Sequence, residues 1–199
     1  TLKRIFTQTR YREGVIAQFF YVGAQIMCWT FIIQYGTRLF MSQGMDEKSA
    51  EVLSQQYNII AMVIFCISRF ICTFILRYLN AGKLLMILAI FGGIFTLGVI
   101  FLQNIFGMYC LVAVSGLHVI DVPYHLWYCL EGMGDDAKFG AAGLIMAILG
   151  GSVLPPLQAS IIDMEQIAWL PAVNVSFILP FICFIVIIGY GYRTVKRNW

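Results

Sequence analysis

The sequence predicts an all-α membrane protein, a bundle of six transmembrane helices, and three observations support this fold class. Of the 199 residues, 60% are hydrophobic and only 12% are charged, whereas a soluble domain is typically about 25% charged. The apolar residues form long runs that lack the alternation of barrel strands. The Lys and Arg residues concentrate in every second connecting segment, as expected of a multi-pass helical protein.

Six apolar segments are each long enough to cross a hydrocarbon core, which needs about 20 residues in a helix. Residues 1–14 precede them as a basic cytoplasmic linker or surface helix, and residues 193–199 follow as a basic cytoplasmic tail. The six-helix bundle therefore occupies residues 15–192. Its predicted spans are Val15–Met41, Gln56–Tyr78, Leu84–Leu102, Met108–Leu130, Phe139–Ile162 and Ala172–Tyr192.

The distribution of positive charge predicts the orientation. Excess Lys and Arg mark the cytoplasmic side of a membrane protein. With six spans, Lys48 and Arg38 fall on one side, and Arg69 lies within a span. The opposite side, which carries both termini, receives the other ten of the 13 basic residues and is predicted to be cytoplasmic: Lys3, Arg4, Arg10, Arg12, Arg77, Lys83, Lys138, Arg193, Lys196 and Arg197.

The sequence does not favour an enzyme, a metal protein or a disulfide scaffold. All six cysteines lie in apolar runs without a C-x-x-C pair, so they are interpreted as small apolar filler. No catalytic triad, phosphate loop or paired catalytic carboxylates stand out, and no cofactor or nucleic-acid partner is expected. The N-terminus lacks an initiator Met and a signal peptide, so we expect the chain to be a piece of a longer protein.

Small residues and prolines predict how the helices pack. Gly92-Gly93 lies in the third span, and the fifth span carries glycines that include Gly150-Gly151. Small residues allow close approach of helix backbones in lipid. Pro155-Pro156 is expected to bend the fifth helix.

The segment Ser115–Glu131 is the first candidate for a site, because it places ionisable groups inside an apolar span. Such groups usually face a bundle interior, a cavity or each other. At about 100° per residue, five side chains share one face of the fourth helix that is about 100° wide. These are His118, Asp121, His125, Tyr128 and Cys129.

Three blocks of the sequence resemble the L-fucose:proton symporter family of the major facilitator superfamily. YVGAQIMCWTFIIQYG (Tyr21–Gly36) is similar to the family's seventh helix, and SRFICTFILRYLNAGK (Ser68–Lys83) to its eighth helix and the basic turn behind it. GDDAKFGAAGLIMAILGGSVLPPLQ (Gly134–Gln158) resembles its eleventh helix with the preceding loop. The resemblance implies the C-terminal six-helix half of a twelve-helix transporter, whose proton-coupling acids lie in the N-terminal half.

The fourth span departs from the family's tenth helix. Pro123 is retained, but Val122 replaces the expected aromatic residue, and Tyr124 and His125 follow where Thr and Ile are usual. This local divergence suggests engineering or a specialised variant.

The resemblance places the first and fourth helices along a central cavity. Gln25 would then hydrogen-bond a sugar and Trp29 would stack on it, while Gln18 shares their helix face. The predicted substrate-binding residues are Gln25, Trp29, Asn58, His118, Asp121, Tyr124, His125 and Tyr128.

The polar face of the fourth helix has four interpretations. It binds sugar hydroxyls in the cavity, forms an interhelical polar network, relays protons, or holds a metal ion. The last is the least favoured, because His118 and His125 are about 10.5 Å apart along a helix axis and cannot bind one ion together.

The expected function is that of half a proton-coupled transporter for an L-fucose-like sugar, working by alternating access with an absent N-terminal half. A second copy of the chain is the other candidate to complete the cavity. The expected location is the inner (plasma) membrane, with the lipid bilayer, a sugar and a proton as partners. The alternative is an engineered, non-transporting membrane scaffold or homo-oligomer, whose fourth span forms an interface or ligand site.

Overall fold

A computed structural model describes residues 9–76, 78, 81–118, 137–164, 166–167 and 170–196. Apart from one hairpin whose two strands have two residues each, the regular structure of these residues is helical. The α-helices are α1 (Thr9–Ser42), α2 (Glu47–Ile75), α3 (Ala81–Phe101), α4 (Ile105–Leu117), α5 (Ala137–Met146), α6 (Gly150–Ile162), α7 (Ala172–Ser176) and α8 (Ile178–Lys196). A 3₁₀ turn at Ala147–Leu149 joins α5 to α6, and the antiparallel strands β1 (Gln166–Ile167) and β2 (Leu170–Pro171) precede α7.

Five segments of the described chain are long and apolar enough to cross a membrane: Tyr11–Ser42, Glu47–Ile75, Gly82–Phe101, Gly140–Ile162 and Ala172–Lys196. Helix α4 is shorter, and the rest of the predicted fourth span, from residue 119 onward, lies outside the described residues. Helix α1 begins at Thr9, so the first span extends into the predicted linker. Residues 1–8 and 197–199 lie outside the described residues.

Helix α1 lies at the centre of the bundle and packs against α2, α4, α6 and α8. Several of its apolar side chains are fully buried, among them Met27, Cys28 and Ile32. Helix α2, in contrast, exposes large apolar side chains such as Phe70, which is 72% exposed. Exposed apolar side chains on a membrane-crossing helix suit contact with lipid or another bundle.

Glycines allow α1 and α6 to approach closely, as the small residues predicted. A Cβ atom added at Gly150 would collide with the backbone carbonyl of Phe19, and one added at Gly151 would collide with Ile26. Helix packing in lipid depends on such van der Waals contact, because lipid provides no hydrophobic driving force between helices.

The helices of the fifth and sixth spans are each interrupted, and proline accounts for the interruption only in the sixth. The irregular turn of the fifth span lies at Ala147–Leu149, whereas Pro155 and Pro156 stay inside helix α6. The proline pair therefore does not mark the end of a helix. In the sixth span, Phe177 separates α7 from α8, because Pro180 has no N–H to donate to the carbonyl of Ser176.

The start of α1 and the end of α8 meet at one end of the bundle. Arg193 donates a hydrogen bond of 2.9 Å from Nη1 to Oε1 of Glu13, and Gly82 at the start of α3 packs against Thr194. We call this the basic end, because Arg12, Lys83, Arg193 and Lys196 lie there. The opposite end, where α1 finishes, is the Arg38 end.

Replacing Gly150 with Ala should lower the unfolding temperature of the detergent-solubilised protein. The added methyl group meets backbone rather than a side chain that can move, so overpacking should cost about 1–3 kcal/mol. Gly93→Ala is the matched control, because its Cβ would meet only Phe181 and Phe184 at an ordinary 3.8 Å. Equal unfolding temperatures for the two variants would contradict the close α1–α6 contact.

Candidate functional site

Trp29 lies at the contact between α1 and α2. Its ring packs edge-on against Phe65 of α2, with 4.8 Å between ring centroids and 75° between ring planes. The guanidinium carbon of Arg69, also on α2, lies 5.6 Å from the centroid of the Phe65 ring. Nε1 of Trp29 is enclosed and has no hydrogen-bond acceptor in the described part of the chain.

Asn58 and Gln25 flank this aromatic contact. Asn58 precedes Phe65 by seven residues, so both lie on the same face of α2. Its Oδ1 is enclosed and has no donor among the described residues. Gln25 is half-buried one turn before Trp29. The α1–α2 contact thus holds one amide oxygen and one indole N–H without protein partners in the described residues.

His118 ends helix α4 inside an aromatic pocket. Its backbone leaves helical geometry at φ −80° and ψ 54°, and its side chain is only 2% exposed. The ring lies between Tyr21 of α1 and Phe184 of α8, with centroid distances of 5.7 Å and 5.2 Å. The His118 ring therefore contacts aromatic side chains of two other helices.

The tautomer of His118 follows from its hydrogen bond. Nδ1 lies 3.0 Å from the carbonyl oxygen of Val114, and a carbonyl can only accept, so Nδ1 carries the proton. Nε2 is buried and has no partner within the described ranges.

The other four predicted residues of the fourth span, Asp121, Tyr124, His125 and Tyr128, lie outside the described residues. The predicted polar face is therefore described only at His118, and its remainder stays a prediction. Within the described ranges, no group of three His, Cys, Asp or Glu side chains is placed to hold a metal ion.

Two open grooves lie at the Arg38 end, and both include Arg38. One, of about 410 Å³, is lined by Tyr35, Arg38, Leu39, Ser42, Gln103, Pro171 and Asn174. The other, of about 570 Å³, is lined by Ile33, Gln34, Thr37, Arg38, Glu47, Glu51, Ile162, Asp163 and Val173. Gln25, Trp29, Asn58 and His118 line neither groove.

The chain was compared with protein families and known proteins. No family model matches it. It is 50% identical over 195 residues to the L-fucose-proton symporter of Haemophilus influenzae, covering 98% of this chain and 44% of that protein. It is 28% identical over 187 residues to the L-fucose-proton symporter of Escherichia coli, covering 94% of this chain and 40% of that protein.

The fold agrees with these sequence matches. A crystal structure of a major facilitator superfamily transporter, FucP, in the outward conformation matches 96% of this chain and 44% of its own, with a TM-score of 0.82 and 26% sequence identity. This chain is a half-length homologue of the L-fucose-proton symporters. Its fold is one half of the major facilitator superfamily fold, which confirms the predicted fold class and the resemblance.

These similarities bear on the class of protein to which the chain belongs. The chain spans less than half the length of the relatives that it matches. Those relatives are transporters, so the comparisons support a multi-pass membrane protein. They do not favour the alternative of an engineered, non-transporting scaffold.

The position of Gln18 on its helix face does not predict that its side chain is buried. Gln18 shares a face of α1 with Gln25 and Trp29, yet it is fully buried, and its amide atoms have no hydrogen-bond partner in the described part of the chain. Helices cross at an angle, so one face of α1 meets different neighbours along its length.

Sequence reasoning also missed a pair of buried donors at the Arg38 end. Asn174 donates from Nδ2 to the carbonyl of Val99 at 3.0 Å, and the Tyr35 hydroxyl donates to the carbonyl of Leu102 at 2.9 Å. A polar residue early in the sixth span was the only signal in the sequence for Asn174.

His118→Ala should lower the free energy of unfolding by about 2 kcal/mol, because it leaves a cavity between Tyr21 and Phe184. His118→Phe keeps an aromatic ring there and removes the unpartnered nitrogen, so its unfolding temperature should stay close to that of the unmodified protein. Thermal unfolding in detergent measures both. If the Phe variant is as unstable as the Ala variant, the ring nitrogens rather than the ring packing stabilise this position.

Proposed function

We propose that this chain is the C-terminal half of a proton-coupled transporter for an L-fucose-like sugar. The observation that carries the proposal is the 50% identity to an L-fucose-proton symporter over nearly the whole chain. The half-superfamily fold supports it independently. The chain then works by alternating access with an N-terminal six-helix half, and the substrate lies between the two bundles.

The α1–α2 contact has the chemistry that sugar recognition needs. A sugar presents hydroxyl groups, which both donate and accept hydrogen bonds, and an apolar ring face. The indole ring of Trp29 offers a stacking surface, and its N–H offers a donor. Asn58 and Gln25 offer amide groups that both donate and accept.

The enclosure of these polar atoms is consistent with a conformational step. An indole N–H and an amide oxygen that are enclosed without partners cost free energy. In the proposed mechanism, movement of α1 relative to α2 exposes Nε1 of Trp29 and Oδ1 of Asn58, and sugar hydroxyls then replace the missing partners. This gain would help to stabilise the sugar-bound state.

The fourth span would form the second wall of the proposed site. Asp121, Tyr124, His125 and Tyr128 are proposed to contact the sugar beside His118. A proton relay between a histidine and a carboxylate is compatible with this role. The acids that couple transport to the proton gradient are proposed to lie in the N-terminal half.

The charge distribution supports an orientation with both ends in the cytoplasm. The Glu13–Arg193 ion pair joins the start of α1 to the end of α8, as an even number of spans requires. The four basic residues of the basic end favour the cytoplasmic side of the inner membrane.

A pair of cysteine-accessibility measurements, at Lys196→Cys and Lys48→Cys, tests this orientation. The two introduced cysteines should react from opposite sides of the membrane.

Sugar uptake tests the proposal directly. Cells that produce this chain together with a separate N-terminal half should take up labelled L-fucose, whereas either half alone should not, because each supplies half a cavity. Trp29→Ala should weaken L-fucose binding at least tenfold, which is about 1.4 kcal/mol. Trp29→Phe should weaken binding less than Trp29→Ala, because stacking persists while the indole N–H is lost.

Thr30→Ala is the matched control for the Trp29 variants. Thr30 is exposed and adjacent to Trp29 in sequence, but its side chain projects about 100° away around the helix. The Thr30→Ala variant should bind L-fucose as the unmodified protein does. Uptake that is equal with and without the N-terminal half would contradict the half-transporter proposal, and equal loss in Thr30→Ala and Trp29→Ala would contradict the assignment of Trp29.

A further inference from the structure

A third groove lies at the basic end, between the start of α1 and the last turns of α8. It has a volume of about 280 Å³, and none of the proposed sugar contacts lines it. Its lining residues are Glu13, Ile16, Ala17, Val186, Gly189, Tyr190 and Arg193. The groove is therefore apolar along its length and charged only at its outer end.

Gly189 keeps this groove open. A Cβ atom added at Gly189 would meet no atom within 4 Å, in contrast to Gly150, where it would meet backbone. Close helix packing therefore does not require the glycine. A glycine inside a helix costs up to about 1 kcal/mol relative to alanine. Gly189 therefore lowers the stability of α8 and leaves the groove unfilled.

Positive charge surrounds the outer end of the groove. The Arg193 side chain is 62% exposed although it pairs with Glu13, so much of its guanidinium group faces outward. Arg12, Lys83 and Lys196 are exposed at the same end. Among the described residues of this end, the negative charge that partly offsets them is that of Glu13.

We propose that the groove binds an anionic phospholipid of the surrounding bilayer. One acyl chain lies along Ile16, Val186 and Gly189, and the phosphate accepts hydrogen bonds from Arg193. This occupant matches both parts of the groove, since a lipid carries its charge at the end of an apolar chain. A guanidinium group suits phosphate because it donates two parallel hydrogen bonds.

The charge argument also predicts lipid selectivity. A basic side chain near the membrane surface contributes about 1 kcal/mol to attraction for anionic lipid, which is about a fivefold change in affinity. Phosphatidylglycerol should therefore bind more tightly than phosphatidylcholine. Glu13→Gln should maintain or raise the phosphatidylglycerol affinity, because Arg193 then interacts with the phosphate alone.

Native mass spectrometry of the purified protein, titrated with phosphatidylglycerol or phosphatidylcholine, tests the proposal. Arg193→Gln should weaken phosphatidylglycerol binding about fivefold. It should weaken phosphatidylcholine binding less, because the choline group offsets the negative charge of the phosphate. Lys196→Gln is the matched control: it removes the same charge from the same helix end, but Lys196 does not line the groove, so phosphatidylglycerol binding should weaken less than in Arg193→Gln. Gly189→Leu fills the groove and should weaken the binding of both lipids.

Three results with these lipids and variants would overturn the proposal, and a fourth concerns Glu13→Gln. These are equal affinity for the two lipids, equal effects of Arg193→Gln and Lys196→Gln, and undiminished lipid binding by Gly189→Leu. The last variant is informative because its added atoms enter open space, so its unfolding temperature in lipid-free detergent should be no lower than that of the unmodified protein. A loss of phosphatidylglycerol binding in Glu13→Gln would assign the ion pair a structural role and would also contradict lipid binding by Arg193.

Discussion

The burial of α1 among four other helices is the constraint on which this bundle depends. Lipid provides no hydrophobic force to bring helices together, so α1 must be held by close van der Waals contact. The backbone approach at Gly150 supplies part of that contact. The neighbours of α1 then decide what its polar residues do: Gln18 is enclosed, Trp29 packs against α2, and Arg38 reaches two grooves.

The buried polar groups at the Arg38 end stabilise the end of α3. The last carbonyl groups of a helix have no partner within the helix, and in a membrane each needs one. Asn174 donates to Val99 and Tyr35 donates to Leu102. Side chains of α7 and α1 thus satisfy the end of α3, which ties three helices together with directional bonds rather than with apolar contact alone.

The same need for partners distinguishes structural from candidate binding residues in this half-length homologue. Asn174 and Tyr35 donate to backbone carbonyls, so they stabilise the fold. Trp29 and Asn58 have enclosed polar atoms without partners in the described part of the chain, which is the condition that a sugar would relieve. His118 combines both features, because one ring nitrogen bonds Val114 and the other has no described partner.

The sequence by itself determined the all-α membrane class and the resemblance to L-fucose symporters, because hydropathy and local residue patterns need no tertiary information. It also marked Gly150-Gly151 for close helix packing, but only the tertiary structure showed that α1 is the helix they meet. Only the tertiary structure decided that Gln18 is buried while Gln25 on the same face is half-buried, because helix crossing changes the neighbours along a face. It likewise placed the fifth span's irregular turn at Ala147–Leu149 and ended α4 at Leu117, with the His118 ring between two aromatic residues.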